Sequence, residues 1–191
     1  MTQTAQAMLE RSGAFLSGHF RLSSGLHSGN YLQCAKAFEL PECAVALSGL
    51  LIAEAAARRV AFDVVISPAL GGVLFGYEVA RQAGVRNLFT ERDAENRMCL
   101  RRGFHVNPGE RFLVLEDVVT TGGSTREVIA VVEQGGGILA GVGCVADRSR
   151  GKADFGVPLL SLIQPEFPTY PPESCPLCER GVPVEKPGSR K

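Results

Sequence analysis

Arg111-Phe112-Leu113-Val114-Leu115-Glu116-Asp117-Val118-Val119-Thr120-Thr121-Gly122-Gly123-Ser124 decides how this chain is read. Residues 112–115 form a short apolar run without a breaker, the pattern of a parallel strand covered on both faces. Glu116 and Asp117 end it, and carboxylates just past a strand's C-terminal edge lie where open α/β sheets bind ligands. They suit the two vicinal hydroxyls of a ribose, each of which can donate a hydrogen bond to an ionised carboxylate. Thr120, Thr121, Gly122, Gly123 and Ser124 then supply hydroxyl donors and two glycines that let backbone amides approach an anion. A helix follows, legible in Val128, Ile129, Val131 and Val132 and ended by Gly135-Gly136-Gly137; its N-terminus carries partial positive charge. The compound signal reads as a phosphoribosyl site, with acids for the ribose and a loop for its 5'-phosphate. An ordinary turn with solvated acids would not need this combination. The loop also lacks the lysine of a triphosphate P-loop and the glycine spacing of a dinucleotide fingerprint.

Outward from that stretch, strands and helices alternate. A short helix is expected within residues 1–15, and residues 18–34, rich in Ser and Gly, read as turns and short strands that form a hood. Pro41 opens an alanine-rich helix through Arg59, with Leu47, Leu50, Leu51 and Ala55 as its buried stripe. Residues 62–67 read as the first core strand, 73–82 as a helix, 85–89 as the next strand, and 138–146 and 159–163 as two more. From Pro165 onward the chain is Pro-rich and reads as an extended or mobile tail. At 191 residues and 45% hydrophobic composition, this is one α/β domain: a hood over about 1–40, a core over about 41–165 and a tail over 166–191.

Lys and Arg number 20 against 20 Asp and Glu, so the formal charge is zero and no global field recruits nucleic acid or a membrane surface. No apolar run reaches the roughly 18 residues that span a bilayer, and residues 1–15 carry no secretory signal pattern. A cytoplasmic location is the expectation. Among the 6 cysteines, Cys34, Cys43, Cys99 and Cys144 lie singly and read as reduced thiols. Cys175-Pro176-Leu177-Cys178 has a spacing that can give two thiolates to zinc, but a structural site needs about four ligands and the chain has no second such pair. The simpler reading is a surface turn with two reduced thiols; the alternative is a zinc ion shared between two subunits, each giving one pair. His19 and His27 read as structural histidines of the hood.

Residues 116–124 resemble the signature of type I phosphoribosyltransferases, which bind phosphoribosyl pyrophosphate (PRPP). Three further segments narrow the likeness to orotate phosphoribosyltransferases: Gly18-His19-Phe20-Arg21-Leu22-Ser23-Ser24-Gly25-Leu26-His27-Ser28, Ser67-Pro68-Ala69-Leu70-Gly71-Gly72, and Ala146-Asp147-Arg148. The resemblance implies the type I fold, with a central, mainly parallel sheet flanked by helices and a small N-terminal hood. It also implies transfer of the phosphoribosyl group from PRPP to orotate, giving orotidine 5'-monophosphate and pyrophosphate in pyrimidine (UMP) biosynthesis. Glu116, Asp117, Val118, Val119, Thr120, Thr121, Gly122, Gly123 and Ser124 would bind PRPP, and Thr120 with Arg148 would bind orotate. Tyr31 and Leu32 match base-covering positions of the hood. Mg2+, held mainly by PRPP and water, is the implied cofactor, and a homodimer with lids crossing between subunits the implied assembly.

The charged stretch Glu91-Arg92-Asp93-Ala94-Glu95-Asn96-Arg97-Met98 has a plain reading as a solvated hairpin. Its position between two core strands resembles the family's catalytic lid, with Arg92 and Arg97 the first candidates for pyrophosphate contact and Arg101 and Arg102 the second. The chain departs from the commoner family pattern: a hood lysine is Ser23, another after the Pro-Ala pair is Gly71, and the lid has neither Lys nor His. Arginines of the lid are expected to replace them, because a guanidinium can hold phosphate oxygens bidentately. The alternatives are a phosphoribosyltransferase for another base, or a PRPP-sensing regulator, which would need a basic surface or DNA-binding module that this chain lacks.

Overall fold

The computed structural model describes residues 4–22 and 24–187. Ser23 and residues 188–191, and with them the position of the replaced hood lysine, lie outside the described residues. In chain order the elements are α1 (Ala5–Arg11), β1 (Phe15–Arg21), β2 (His27–Leu32), α2 (Ala35–Phe38), α3 (Pro41–Ala57), β3 (Val64–Pro68), α4 (Val73–Ala83) and β4 (Arg86–Arg92). They continue with β5 (Met98–Leu100), β6 (Arg111–Val119), α5 (Gly123–Gln134), β7 (Ile138–Asp147), β8 (Leu159–Ile163), β9 (Thr169–Tyr170), a 3-10 turn (Pro172–Ser174) and α6 (Pro176–Glu179).

A six-stranded sheet in the order β5-β4-β3-β6-β7-β8 forms the core. All its pairings are parallel except β4 with β5. Along β6 the side chains alternate between two apolar layers, as a pleated strand requires. Leu113 and Leu115 pack with Leu9, Leu47, Leu51 and Phe75 of α1, α3 and α4, while Phe112 and Val114 pack with Val128 and Val132 of α5. Covering both faces explains why residues 112–115 are uninterrupted apolar and why each is fully buried. Among the described residues no helix is long and apolar enough to cross a membrane.

Two local readings change. β6 does not stop at Leu115: it runs to Val119, because β7 pairs with it out to Val119↔Asp147. β3 leaves it earlier, at Ile66↔Val114, so the acidic end of β6 has a neighbour on one side only. The charged stretch after β4 is a hairpin, with Arg92 paired to Met98 across it.

The C-terminal segment is the second change. Read from composition as an extended or mobile tail, it is docked as far as it is described. β9 adds to β2 in a three-stranded sheet β1-β2-β9, and Glu185 bridges to Phe20. The Glu185 N–H donates to the carbonyl of His19 (2.7 Å), and Arg21 N–H donates to that of Glu185 (2.8 Å). Proline removes donors without preventing such edge pairing, and Cys175 supplies a side chain that buries.

A candidate phosphoribosyl-transfer site at the end of the central strands

The loops at the C-terminal ends of β3, β6 and β7 meet at one place. The segment after β3, Pro68-Ala69-Leu70-Gly71-Gly72, contains a cis peptide between Ala69 and Leu70 and passes over the acidic end of β6. A Cβ placed on Gly71 would stand 2.8 Å from Asp117 Oδ1, and one on Gly72 would stand 2.9 Å from the carbonyl oxygen of Leu115. Asp117 is half-buried, and its Oδ1 accepts a hydrogen bond from the Val118 N–H at 2.8 Å. It continues the alternation of Leu113 and Leu115, which turns it toward the hood.

Beyond β6, Thr120 and Thr121 are exposed and Gly122 is buried. Gly122 takes left-handed backbone angles (φ 76°, ψ 14°) as the N-cap of α5, with no side-chain cap bond. A Cβ there would lie 2.8 Å from the ring of Phe155, which is itself covered by the Arg126 guanidinium at 4.7 Å. Arg126 also donates to the Asp154 carbonyl at 2.6 Å. The loop is thus held from beneath by the segment before β8, which sequence reading left unassigned. Val119 contributes its backbone rather than its side chain, which is buried: its carbonyl accepts from the Arg148 N–H at 2.8 Å.

Arg148 leaves the end of β7 half-buried, its guanidinium 5.0 Å over the ring of Phe167. Among the described residues it has no carboxylate partner. Asp147 and Asp154, the acids nearest in sequence, are occupied by the backbone N–H groups of Ser149 (2.8 Å) and Gly156 (2.9 Å). Burial lowers the Arg148 pKa from its ordinary value, while the nearby Tyr31 acts in the opposite direction. Tyr31, reaching in from β2, has its own pKa raised, first by burial and then by the charge of Asp117. Hood, β6 and β7 therefore bring Tyr31, Asp117 and Arg148 to one place. Leu32, its neighbour on β2, is a core residue instead.

The arginines of the expected lid lie in and beside the β4–β5 hairpin. Arg92 donates to Glu127 of α5 and to the Asn96 carbonyl, both at 2.6 Å, which docks the hairpin three residues past Ser124. Arg97 is engaged within the turn by Asp93 (2.8 Å) and Glu95 (3.2 Å), and Arg102 pairs with Glu91 (2.7 Å). Arg101 is exposed. The structure brings Arg92 beside α5 and leaves Arg97 in the hairpin turn.

In the hood, His19 and His27 are buried and meet Cys175 and Cys178. Cys175 Sγ lies 3.5 Å from His19 Nε2, and Cys178 Sγ lies 3.4 Å from His27 Nδ1. Two thiol sulfurs and two imidazole nitrogens of one chain thus lie together in the hood. The chain has 3 histidines, and a Cys-x-x-Cys short of two ligands was a signal for testing those two.

An orotate phosphoribosyltransferase from Caldanaerobacter subterraneus is 53% identical over 184 residues, covering 96% of this chain and 95% of its own. The chain belongs to the orotate phosphoribosyltransferase family. The orotate phosphoribosyltransferase of Thermotoga maritima is 51% identical over 186 residues, with 96% of both chains covered. No family model matches the chain. Among solved structures, the Aeropyrum pernix orotate phosphoribosyltransferase superposes with a TM-score of 0.70 at 24% identity, covering 84% of this chain and 92% of that one. An adenine phosphoribosyltransferase from Thermoanaerobacter pseudethanolicus superposes at 0.61 and 19% identity, covering 71% of this chain and 88% of that one, so the type I fold is common to enzymes for different bases. As an orotate phosphoribosyltransferase, the chain is a pentosyltransferase of pyrimidine biosynthesis.

Proposed function

We propose that the family reaction, transfer of a phosphoribosyl group from PRPP to N1 of orotate, is carried out where β6, α5 and the end of β7 meet. The observation that carries this is Arg148: a half-buried guanidinium beside Tyr31, with no carboxylate partner among the described residues, next to the loop that would hold the sugar phosphate. Its planar donor fork suits acceptors along one edge of a flat anionic base, and Thr120 adds a second polar contact. Tyr31 covers the base from the hood.

Thr120, Thr121, Gly122, Gly123 and Ser124 hold the 5'-phosphate, with Val118 and Val119 fixing the loop's backbone. Glu116 and Asp117 hold the ribose hydroxyls. Neighbouring residues of a ladder leave by opposite faces, so a ribose that meets both acids sits over the edge of β6 that β3 has left. In the reaction the bond from ribose C1 to the pyrophosphate oxygen breaks, its electron pair leaving with pyrophosphate, and N1 of the orotate anion supplies the pair for the new bond. No protein nucleophile is needed; the residues position the substrates and stabilise oxocarbenium-like charge.

The hard oxygen donors of this loop, two carboxylates and three hydroxyls, are compatible with Mg2+ held mainly by the diphosphate and water, where it would neutralise the leaving group. Arg92 and Arg97 reach pyrophosphate when the hairpin leaves its docked position, taking the place of the missing lysines. Hood, core and C-terminal segment act as one domain, and the enzyme works in the cytoplasm as a homodimer with lids crossing between subunits. The test is loss of orotate absorbance with PRPP and Mg2+, with uracil, adenine and hypoxanthine in parallel. Turnover of orotate alone supports the assignment; turnover of another base overturns the acceptor, and PRPP binding without any turnover favours a regulator.

A further inference from the structure

We propose that His19, His27, Cys175 and Cys178 bind one zinc ion within a single chain, and that this ion staples the C-terminal segment to the hood. Their ligand atoms all lie within 4.8 Å of one another. Zinc bonds of about 2.3 Å to sulfur and about 2.0–2.1 Å to nitrogen set tetrahedral edges of about 3.5 Å between S and N and about 3.3 Å between two N atoms. Three of the four S···N separations are 3.5, 3.8 and 3.4 Å, close to those edges, and the fourth, between Cys175 and His27, is within 4.8 Å. His19 Nε2 and His27 Nδ1 are 2.9 Å apart and need to open by only a few tenths of an ångström.

The surroundings orient these groups. His19 sits in the irregularity of β1 between Ser17 and Phe20, and bulges commonly re-aim a side chain. Its Nδ1 lies 2.7 Å from the Val182 carbonyl, which can only accept, so Nδ1 carries the proton and Nε2 turns an unprotonated lone pair toward the thiols. Val182 reaches that position because Gly181 turns the chain (φ 68°) just after α6. The Cys175 carbonyl accepts from the Glu179 N–H at 3.1 Å, which keeps both cysteines on one helical turn. Both are free thiols. Two soft sulfurs and two imidazoles select zinc over the hard magnesium of the reaction.

The staple has a mechanical purpose. The three-stranded hood sheet is small, and β9 contributes two residues to it, so metal supplies cohesion that so little apolar burial cannot. Tyr31 lies on the same sheet, in the strand that carries His27. Because the readouts are metal content and tail protection, the test stands apart from the assignment of the active site.

Protein carrying no polyhistidine tag is analysed for metal, and its zinc is exchanged for cobalt. One zinc per chain, with the visible cobalt bands of a tetrahedral thiolate site, is expected; Cys178→Ser should weaken the sulfur-to-cobalt absorption by about half, and His27→Ala should release the metal. One zinc per two chains would instead mean a site shared between subunits and overturn the proposal. Protein that holds no zinc and gives no tetrahedral cobalt spectrum would also overturn it, as would full zinc retention by a His19→Ala/His27→Ala double variant. In the native sequence, chelation should speed tryptic cleavage at the exposed Arg180 about tenfold or more. An unchanged cleavage rate overturns the stapling role.

Discussion

Gly71 and Asp117 are in contact with no room for a side chain between them: a Cβ on Gly71 would lie 2.8 Å from Oδ1 and 2.9 Å from Cγ of the carboxylate. The loop after β3 and the acid at the end of β6 therefore hold each other in place. Gly71 is exposed, so Gly71→Ala is expected to displace the carboxylate rather than unfold the protein, lowering kcat/KM about tenfold or more with Tm nearly unchanged. Gly72→Ala makes the contrast. Its Cβ meets the Leu115 carbonyl, which is backbone of the central strand, and the expected cost is about 1–3 kcal/mol of stability. Steady-state kinetics and thermal melts on the two variants check this.

Arg148→Ala is expected to raise the KM for orotate about 10- to 100-fold, the worth of one or two hydrogen bonds to a charged group, while PRPP affinity changes little. Phe167→Leu, which removes the ring under the guanidinium along with its edge contact to Phe15, should move the same constant by a smaller factor. Equal loss of affinity for both substrates on Arg148→Ala would remove Arg148 from the base site.

Gly122→Ala adds a methyl at φ 76° and 2.8 Å from the Phe155 ring. We expect weaker PRPP binding together with a loss of about 1–3 kcal/mol of stability. Phe155→Ala in the same background should recover the steric part and leave the backbone strain. A double-mutant cycle on PRPP affinity and melting separates the two.

The hairpin after β4 should be sensitive to acid. Arg102 beside Glu91 and the Arg97 N–H on Asp93 hold both carboxyls below their ordinary pKa. For a depressed carboxyl the stabilisation is present above the unfolded value, about 4, and is lost as pH falls through the lower folded one. The amide resonances of Glu95 and Arg97, which donate to Asp93 Oδ1, should therefore hold steady from neutral pH to about 5 and shift only below about 4.

Arg92 is tied to Glu127, and the two variants there should separate. Arg92→Ala is expected to lower turnover about tenfold or more through lost pyrophosphate contact, whereas Glu127→Ala, which removes only the docking partner, should change it less than about threefold. Forward kinetics and pyrophosphorolysis measure both.

What the sequence determined by itself is local in origin. Pro41 begins α3 as read, residues 159–163 are β8 end to end, and the strand, acids, glycine loop and helix of residues 112–134 follow one another as expected. Such features depend on backbone sterics and on hydrophobic period over a few residues, which a linear reading contains. The end of β6 is not legible locally because strand length there is set by its pairing with β7, nor is the docking of the C-terminal segment, because proline content says nothing of what its cysteines and edge groups will meet. Only the tertiary structure set Arg148 beside Tyr31, or His19 beside Cys175 across 156 residues of chain. Those meetings depend on which strands pair and which surfaces bury, and that is decided when the whole core closes.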